Sequence, residues 1–296
     1  MSLLNDIFDC LRSGSIYALI SLSLALIYVF YGTISFINGE VITYGIYVFA
    51  FFYSGGSPLI CAFVLTCISC CGISFLTCIF VYKPLRKRPR HYALAASIGT
   101  SFLFRNFMLL LFSPNAIKIK STISGYTKIF FASIENTVLA AFLFFLIIAL
   151  GVYCFFKYTK IGRLISAVSD NPESAMVFKI NMFSLSFMLN LVIGVLLAAA
   201  GFLFSSSFPV VDPYVGTAIG MRALVGAIIG GLGLINTIPA CIPHVLLGGF
   251  SVGIIETLVK SYISVQASDF VIYLILILYL IINYKKYKHK TGGELL

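Results

Sequence analysis

The chain has 296 residues, of which 60% are apolar and only 10% are charged. Soluble domains average about 45–50% apolar and about 25% charged residues. So few charged side chains cannot cover the surface of a soluble globule, which excludes soluble enzymes, fibrous proteins and disordered chains. Long unbroken apolar runs, without the alternation of a membrane β-barrel, predict an all-α polytopic integral membrane protein with about eight to nine transmembrane helices. The whole chain, 1–296, is predicted to form a single transmembrane domain.

Nine apolar segments are candidates to cross the bilayer. Most are close to the length of about 20 residues that a membrane-spanning helix needs. The segment after residue 214 is shorter and rich in glycine. In chain order the predicted spans are residues 13–31, 36–53, 58–82, 92–112, 137–156, 184–208, 215–232, 239–259 and 270–284.

Basic residues between the spans predict the orientation. The net charge of +10 comes from 20 Lys and Arg against 10 Asp and Glu, and it is concentrated in residues 83–90, 157–179 and 285–290. Cytoplasmic loops of membrane proteins carry such an excess, so these segments and the C-terminal tail are predicted to be cytoplasmic and nucleic-acid binding is not indicated. The N-terminus and the loop 113–136 are then external. Nine crossings satisfy every loop, whereas eight require one segment to turn back.

The cytoplasmic loop 157–183 has the most distinctive pattern in the chain. Ile161, Leu164, Ile165 and Val168 recur at helical spacing and predict one amphipathic helix. The Asp-Asn-Pro sequence that follows predicts a break and a new helix start, with an N-cap, a proline in the first turn and a carboxylate near the helix N-terminus. Two short helices of this kind can dock into a partner's groove or lie on the bilayer. The candidate docking residues are Gly162, Arg163, Asp170, Asn171, Pro172, Glu173, Ser174, Ala175 and Phe178.

Charged residues inside apolar helices need a specific reason, because each costs roughly 2.5–3.5 kcal/mol at the bilayer centre. Glu40 follows Asn38 and Gly39 near the start of the second span, and Arg105 lies beside Asn106 well inside the fourth. These five residues are the candidate substrate pathway. The alternative is a structural ion pair that joins Arg105 to Glu40 or to Glu256. We interpret Arg222 and Glu256, which lie near span ends, as interfacial anchors.

Small residues and cysteines indicate packing. Gly226-x-x-x-Gly230 and Gly249-x-x-x-Gly253 predict close helix contacts. The cysteines at 67, 70 and 71 lack partners at metal-ligand spacing and are interpreted as small buried hydrophobes. No metal site and no catalytic residue is predicted.

Several separated motifs resemble those of one transporter family, and they extend over nearly the full length. The chain is similar to the shorter of the two permease types of branched-chain amino-acid ABC importers. Lys179 stands where that family more often has glycine, and Arg105 where a neutral glutamine is more usual. The motifs are residues 36–40 (Phe-Ile-Asn-Gly-Glu), 82–86 (Tyr-Lys-Pro-Leu-Arg), 97–100 (Ser-Ile-Gly-Thr) with Asn106, 162–181, and 220–233 (Gly-Met-Arg-Ala to Gly-Gly-Leu-Gly).

The resemblance implies a non-enzymatic permease of the bacterial inner membrane that carries branched-chain or other small amino acids. It implies four further partners besides lipid: a second homologous permease, two cytoplasmic ATP-binding subunits and an external substrate-binding protein. The chain itself has no Walker motif, so the implied ATP is used by partner subunits and no cofactor is expected here. Alternative cargoes are urea, short amides or another small polar solute. An alternative class is a stand-alone secondary transporter or channel.

The predicted orientation can be tested with single cysteines at Ser121 and Ser174 in a background without native cysteines. An impermeant thiol reagent applied to intact cells should label position 121 and not position 174, because the charge asymmetry places the first outside and the second inside. The reverse pattern would overturn the orientation, and labelling of both after permeabilisation is the control.

Overall fold

The computed structural model describes residues 2–85, 88–112, 115–119, 126–129, 132–170, 181–235 and 237–290. Nearly all of this part of the chain is helical, with four short strands. The helices are α1 (Ser2–Tyr31), α2 (Ile37–Ser54), α3 (Leu59–Thr77), α4 (Lys83–Leu85), α5 (Arg90–Phe112), α6 (Asn136–Tyr158), α7 (Lys160–Asp170), α8 (Met182–Ser207), α9 (Val215–Ile229), α10 (Ile238–Tyr262) and α11 (Ala267–Lys290). The strands are β1 (Ile117–Lys118), β2 (Tyr126–Ile129), β3 (Ala132–Glu135) and β4 (Val210–Val211).

The helix lengths confirm the predicted all-helical membrane class. Within the described residues, six helices are long and apolar enough to cross a bilayer. The segments Val215–Ile229 and Ala267–Asn283 are shorter apolar helices. Helix α9 is about 23 Å long, which is less than the hydrocarbon thickness of about 30 Å. The six long segments are Asp6–Tyr31, Leu59–Leu85, His91–Phe112, Thr137–Tyr158, Met182–Ser207 and Ile238–Tyr262.

Contacts between distant segments sort the helix ends into two groups. At one end, which we call the outer end, Ser261 in α10 donates a hydrogen bond to Asp6 in α1, and β1 pairs antiparallel with β4. At the other end, the inner end, Tyr31 stacks on Tyr82 and the Lys83 ammonium lies over the Phe183 ring. The N-terminus and the start of segment 113–136 therefore lie at one end, and residues flanking the two basic loops lie at the other. This grouping is the one that an odd number of crossings before Lys83 requires.

The centre of the bundle is held together by backbone contacts at glycines, as the small-residue patterns predict. A Cβ built on Gly249 of α10 would lie 2.6 Å from the Cα of Ala18 in α1, and one built on Gly226 of α9 would lie 2.7 Å from the Cα of Gly249. Gly253 meets the backbone of Gly14 in the same way. Helices α1, α9 and α10 therefore pack with their backbones in direct contact, and only residues without a side chain fit at these crossings.

Two local features were not expected from the sequence. The predicted external loop contains β1, which pairs with β4, and the β2–β3 hairpin, whose register joins Tyr126 to Glu135. At the inner end of α3 the helix continues as a π-helical turn over Cys78–Tyr82, a rare conformation. That turn carries Tyr82 into the buried polar network described below.

The glycine crossings generate a stability prediction. We expect Gly249→Ala to lower the free energy of unfolding by roughly 1–3 kcal/mol, because its methyl group must displace the α1 backbone. Gly72→Ala in α3 is the matched control, since a Cβ there meets nothing within 4 Å. Thermal inactivation of the detergent-purified protein, followed by size-exclusion chromatography, measures both variants. Equal behaviour of the two variants would contradict a backbone contact at Gly249.

Candidate functional site

A single buried carboxylate joins three helices. Glu40 lies in the first turn of α2 and is 1% exposed. Its Oε1 atom accepts hydrogen bonds from Arg105 Nε at 3.0 Å and Nη2 at 2.8 Å, both from α5. Thr217 of α9 donates its hydroxyl to the same oxygen at 3.0 Å, and Ser101 of α5 donates at 3.4 Å. The carboxylate is therefore paired with a cation and supported by two hydroxyl groups.

Glycines explain how α9 comes close enough to reach this carboxylate. A Cβ on Gly39 would collide with the carbonyl group of Gly216, and it would lie 3.5 Å from the Cα of Gly220. Because Gly39 precedes Glu40, this contact places the first turn of α9 beside the first turn of α2. Helix N-termini carry a partial positive charge that favours anions, so two helix starts add to the stabilisation from Arg105.

The structure shows which of the two candidate carboxylates pairs with Arg105. Its partner is Glu40, and Glu256 pairs elsewhere. The pairing explains how both charges are tolerated among apolar helices, since a buried ion needs a partner and satisfied hydrogen bonds. The use of the pair in translocation stays a prediction at this point.

Asn38 belongs to a different buried network, although it is only two residues from Glu40. Its Nδ2 donates to Ser23 Oγ at 3.1 Å, and its Oδ1 accepts from Ser35 Oγ at 2.8 Å. Tyr82 donates its hydroxyl to Ser35 at 2.6 Å. This chain of hydrogen bonds ties the α1–α2 corner to the π-helical turn. Asn38 therefore holds this corner together, and its side chain forms no hydrogen bond with the Glu40 carboxylate.

Asn106 is not part of the cluster either. Its side chain is exposed and donates to the carbonyl of Phe102, one turn earlier in the same helix. Of the five candidate pathway residues, the structure brings Glu40 and Arg105 into contact and places Gly39 at the adjacent helix crossing. The transport role predicted for all five stays a prediction.

Two members of the cluster, Ser101 and Thr217, were missed at the sequence level. Ser101 lies four residues before Arg105 and therefore on the same face of α5, a signal that was available. Thr217 carries no such signal, because its position depends on a helix crossing between distant parts of the chain. Only the glycines at 216 and 220 mark that crossing in the sequence.

A second buried ion cluster surrounds Arg222 of α9. Its Nη1 donates to Glu256 Oε1 at 2.7 Å and to the Tyr17 hydroxyl at 3.3 Å, and its Nε donates to Asp269 Oδ1 at 2.7 Å. Lys260 forms a second ion pair with Glu256. The interpretation of Arg222 and Glu256 as interfacial anchors is wrong, because the Glu256 side chain is 2% exposed. Arg222 lies in the middle of the short helix α9, and its three partners come from α1, α10 and α11.

The first helix of the basic loop forms as α7, but the predicted apolar face is only half correct. Ile165 and Val168 are buried, whereas Ile161 and Leu164 are 40% and 41% exposed. The reason is Gly162, whose missing side chain lets α7 pack against the backbone of α6; a Cβ there would lie 2.6 Å from the Cα of Phe156. The buried face is thereby rotated towards Gly162, and an apolar edge remains uncovered.

The other candidate docking residues divide into two groups. Arg163 and Asp170 are exposed on α7, and partial desolvation raises the pKa of the Asp170 carboxyl above its usual range. The predicted break and second helix lie outside the described residues, so the expectations for Asn171, Pro172, Glu173, Ser174, Ala175 and Phe178 stay predictions. Asn181, just beyond them, caps α8 by accepting from the backbone N–H groups of Phe183 and Ser184.

Comparison with known proteins identifies the family. A family model described as the permease component of the branched-chain amino acid transport system matches residues 6–280. The chain belongs to this family. It is therefore a membrane-spanning transport permease.

Individual relatives agree with this assignment. The permease is 29% identical to the LivH high-affinity branched-chain amino acid transport permease of Escherichia coli K12, over 94% of this chain and 93% of the relative. It is 28% identical to BraD of Pseudomonas aeruginosa with the same coverage. A more distant match, at 25% identity over 64% of the chain and 56% of the relative, is the autoinducer 2 import permease LsrC of Photorhabdus laumondii. No solved structure matches the chain.

The Arg222 cluster generates a stability prediction. We expect Glu256→Gln to lower the free energy of unfolding of the permease by roughly 3–5 kcal/mol, because it removes the buried carboxylate partner of Arg222, whose side chain is only 15% exposed. Asp269→Asn is the matched control: it removes another carboxylate partner of Arg222, but one that is 51% exposed, so the loss should stay within about 1 kcal/mol. Thermal unfolding in detergent measures both, and equal losses would contradict the difference in burial.

Proposed function

We propose that this permease is the membrane-spanning subunit of an ATP-driven importer that carries branched-chain or other small amino acids into the cell. The observation that carries the proposal is the family match over residues 6–280. Two relatives that cover almost the whole chain are named for high-affinity branched-chain amino acid transport. The proposed location is the bacterial inner membrane, with the C-terminal tail in the cytoplasm.

The proposed assembly contains a second homologous permease, two cytoplasmic ATP-binding subunits and an external substrate-binding protein. ATP is bound and hydrolysed in the partner subunits, and this chain binds no cofactor. Exposed apolar surface is consistent with such an assembly. Only 17% of the most apolar stretch of α5 is buried within the chain, against 83% for α1. The second homologous permease, together with lipid, would cover this surface.

Coupling to the ATP-binding subunits would run through the basic loop. Helix α7 offers the uncovered edge of Ile161 and Leu164 at the inner end and is fixed to α6 at Gly162. A displacement of α7 is therefore transmitted to α6, a long helix of the bundle. The predicted second helix, with Ala175, would complete the docking surface.

Movement inside the permease would involve the contacts of Glu40. Its carboxylate links α2, α5 and α9. Any shift of one of these helices relative to the others must therefore break or exchange hydrogen bonds of the Glu40 carboxylate. An exchange of partners at this contact would give the two arrangements that outward-open and inward-open states require.

The proposal is tested by uptake in native cells from which the gene for this chain has been deleted. Complementation with the wild-type permease should restore ATP-dependent uptake of labelled leucine, and excess unlabelled branched-chain amino acids should compete. Competition by urea or short amides alone would identify a different solute class. Uptake that persists after removal of the ATP-binding subunits would indicate a stand-alone transporter and overturn the proposal.

The same assay tests coupling through the loop. We expect Ala175→Glu to reduce leucine uptake at least tenfold at normal membrane yield, because a charged side chain would obstruct the groove contact. Ala116→Glu, the same change at an exposed position at the outer end, should leave uptake within about twofold of wild type, as expected for an exposed surface substitution. Normal uptake and normal co-purification of the ATP-binding subunits with Ala175→Glu would refute docking at this site.

A further inference from the structure

Arg105 uses only part of its guanidinium group on Glu40. Its Nε and Nη2 atoms both donate to one carboxylate oxygen, whereas no residue in the described part of the chain accepts a hydrogen bond from Nη1. The Arg105 side chain is 17% exposed, while that of Glu40 is 2% exposed. One edge of the guanidinium is therefore fixed to a buried carboxylate, and a hydrogen-bonding edge is left without an acceptor from the chain. A guanidinium group has five N–H donors in a fixed fork that suits carboxylates.

The open edge belongs to α5, whose most apolar stretch has the smallest buried share, 17%, among the six long apolar helices of the described residues. Phe102, Leu103 and Phe107 on α5 are all exposed, and the Arg105 guanidinium lies 5.1 Å from the centre of the Phe102 ring. A partly exposed arginine far from a helix end is unfavourable against lipid. This part of α5 therefore borders water or protein in the assembled transporter.

We propose that Arg105 is the carboxylate-binding residue of the translocation path and that Glu40 is its positioning residue. The proposal rests on the proposed function, because it requires that solute pass along α5 between this permease and its neighbour. The ligand class is a zwitterionic amino acid whose carboxylate accepts from the open edge of the guanidinium. The aromatic ring of Phe102 lies next to this position and offers apolar surface.

Electrostatics favour this class of ligand over the other solutes considered. Arg105 and Glu40 together carry no net charge, so a zwitterion binds without leaving an excess charge in the bundle. A carboxylate forms charge-assisted hydrogen bonds with arginine, which are roughly twice as strong as those between neutral groups. Urea and short amides offer only a neutral carbonyl oxygen. The site therefore distinguishes amino acids from these solutes by the acceptor that they present.

The surroundings of Glu40 allow Arg105 to exchange partners. If the guanidinium turns towards a solute carboxylate, Glu40 Oε1 keeps the hydroxyl donors of Thr217 at 3.0 Å and Ser101 at 3.4 Å. The buried carboxylate then keeps two neutral hydrogen bonds and lies at two helix N-termini, which offset part of the cost of separating it from its cation. The hydroxyl groups of Thr217 and Ser101 would thus hold the carboxylate while Arg105 binds the solute, whereas an ion pair that never separates would not require them.

The test uses the complex of permeases and ATP-binding subunits in lipid nanodiscs, without the binding protein, so that binding reflects the membrane part alone. The probes are leucine and leucinamide, which differ only in carboxylate against amide, and the readout is the ligand-induced shift in melting temperature. We expect leucine to stabilise the wild-type complex and leucinamide to have at least a tenfold higher apparent dissociation constant. Equal binding of the two probes, or no shift with leucine, would overturn the proposal.

Variants separate ligand binding from folding. Glu40→Gln combined with Arg105→Leu removes both charges without stranding either, and it should weaken leucine binding at least tenfold while leaving leucinamide unchanged. Arg105→Lys keeps the positive charge that Glu40 needs and should weaken leucine binding at least fivefold. This variant provides the test if the double variant does not accumulate in the membrane. Asp9→Asn with Arg12→Leu removes an ion pair elsewhere and is the control. Unchanged leucine binding in the Arg105 variants would overturn the proposal.

The outcome is distinguishable from failure of the proposed function. If wild-type cells import no amino acid through this permease, the proposed function fails. If they import leucine and the Arg105 variants bind leucine like the wild type, only the assignment of Arg105 fails.

Discussion

A carboxylate buried among apolar helices must find all its hydrogen-bond donors inside the protein, and this constraint organises the permease around Glu40. An unpaired charge in a low-dielectric interior is far more costly than the net stability of a folded domain can offset. The chain meets the requirement with donors from α5 and α9. These helices are distant in sequence, so the polar contacts fix a crossing that apolar packing between similar side chains would leave poorly specified.

The second ion cluster applies the same constraint at another crossing. Arg222 lies in the middle of α9 and bonds to Glu256 in α10, Asp269 in α11 and Tyr17 in α1. Helix α9 is therefore fixed by polar contacts on two sides, by the Thr217 hydroxyl towards α2 and by the charged Arg222 towards α10. A helix too short to span the bilayer gains from such contacts a defined depth and rotation that its length alone would not give.

Sequence reasoning reached the helical class and six of the nine predicted spans, because hydropathy leaves a direct signal along the chain. It also gave Glu40 as one of two possible ion-pair partners of Arg105, because charges inside apolar helices stand out. It failed where position depends on contacts between distant segments. Thr217 was missed because only a backbone crossing at Gly39 brings it to the carboxylate. Glu256 was misread because distance from a span end does not reveal how much protein surrounds a residue. The face of α7 was misjudged because Gly162 counts as polar in a pattern, although in the structure it is the point of closest packing.

The glycine crossings divide the permease into parts with different freedom to move. Helices α1, α2, α9 and α10 touch one another through backbone atoms at Gly14, Gly39, Gly226 and Gly249, and rigid surfaces in such contact cannot slide without separating. Helix α5 meets α2 instead through aromatic rings, as between Tyr44 and Phe104, and through hydrogen bonds. Water or a solute can replace a hydrogen bond during a movement, but nothing can replace a backbone contact of this kind. Helices α1, α2, α9 and α10 therefore form a fixed frame. The resistance to moving α5 against that frame depends on what occupies the space beside α5.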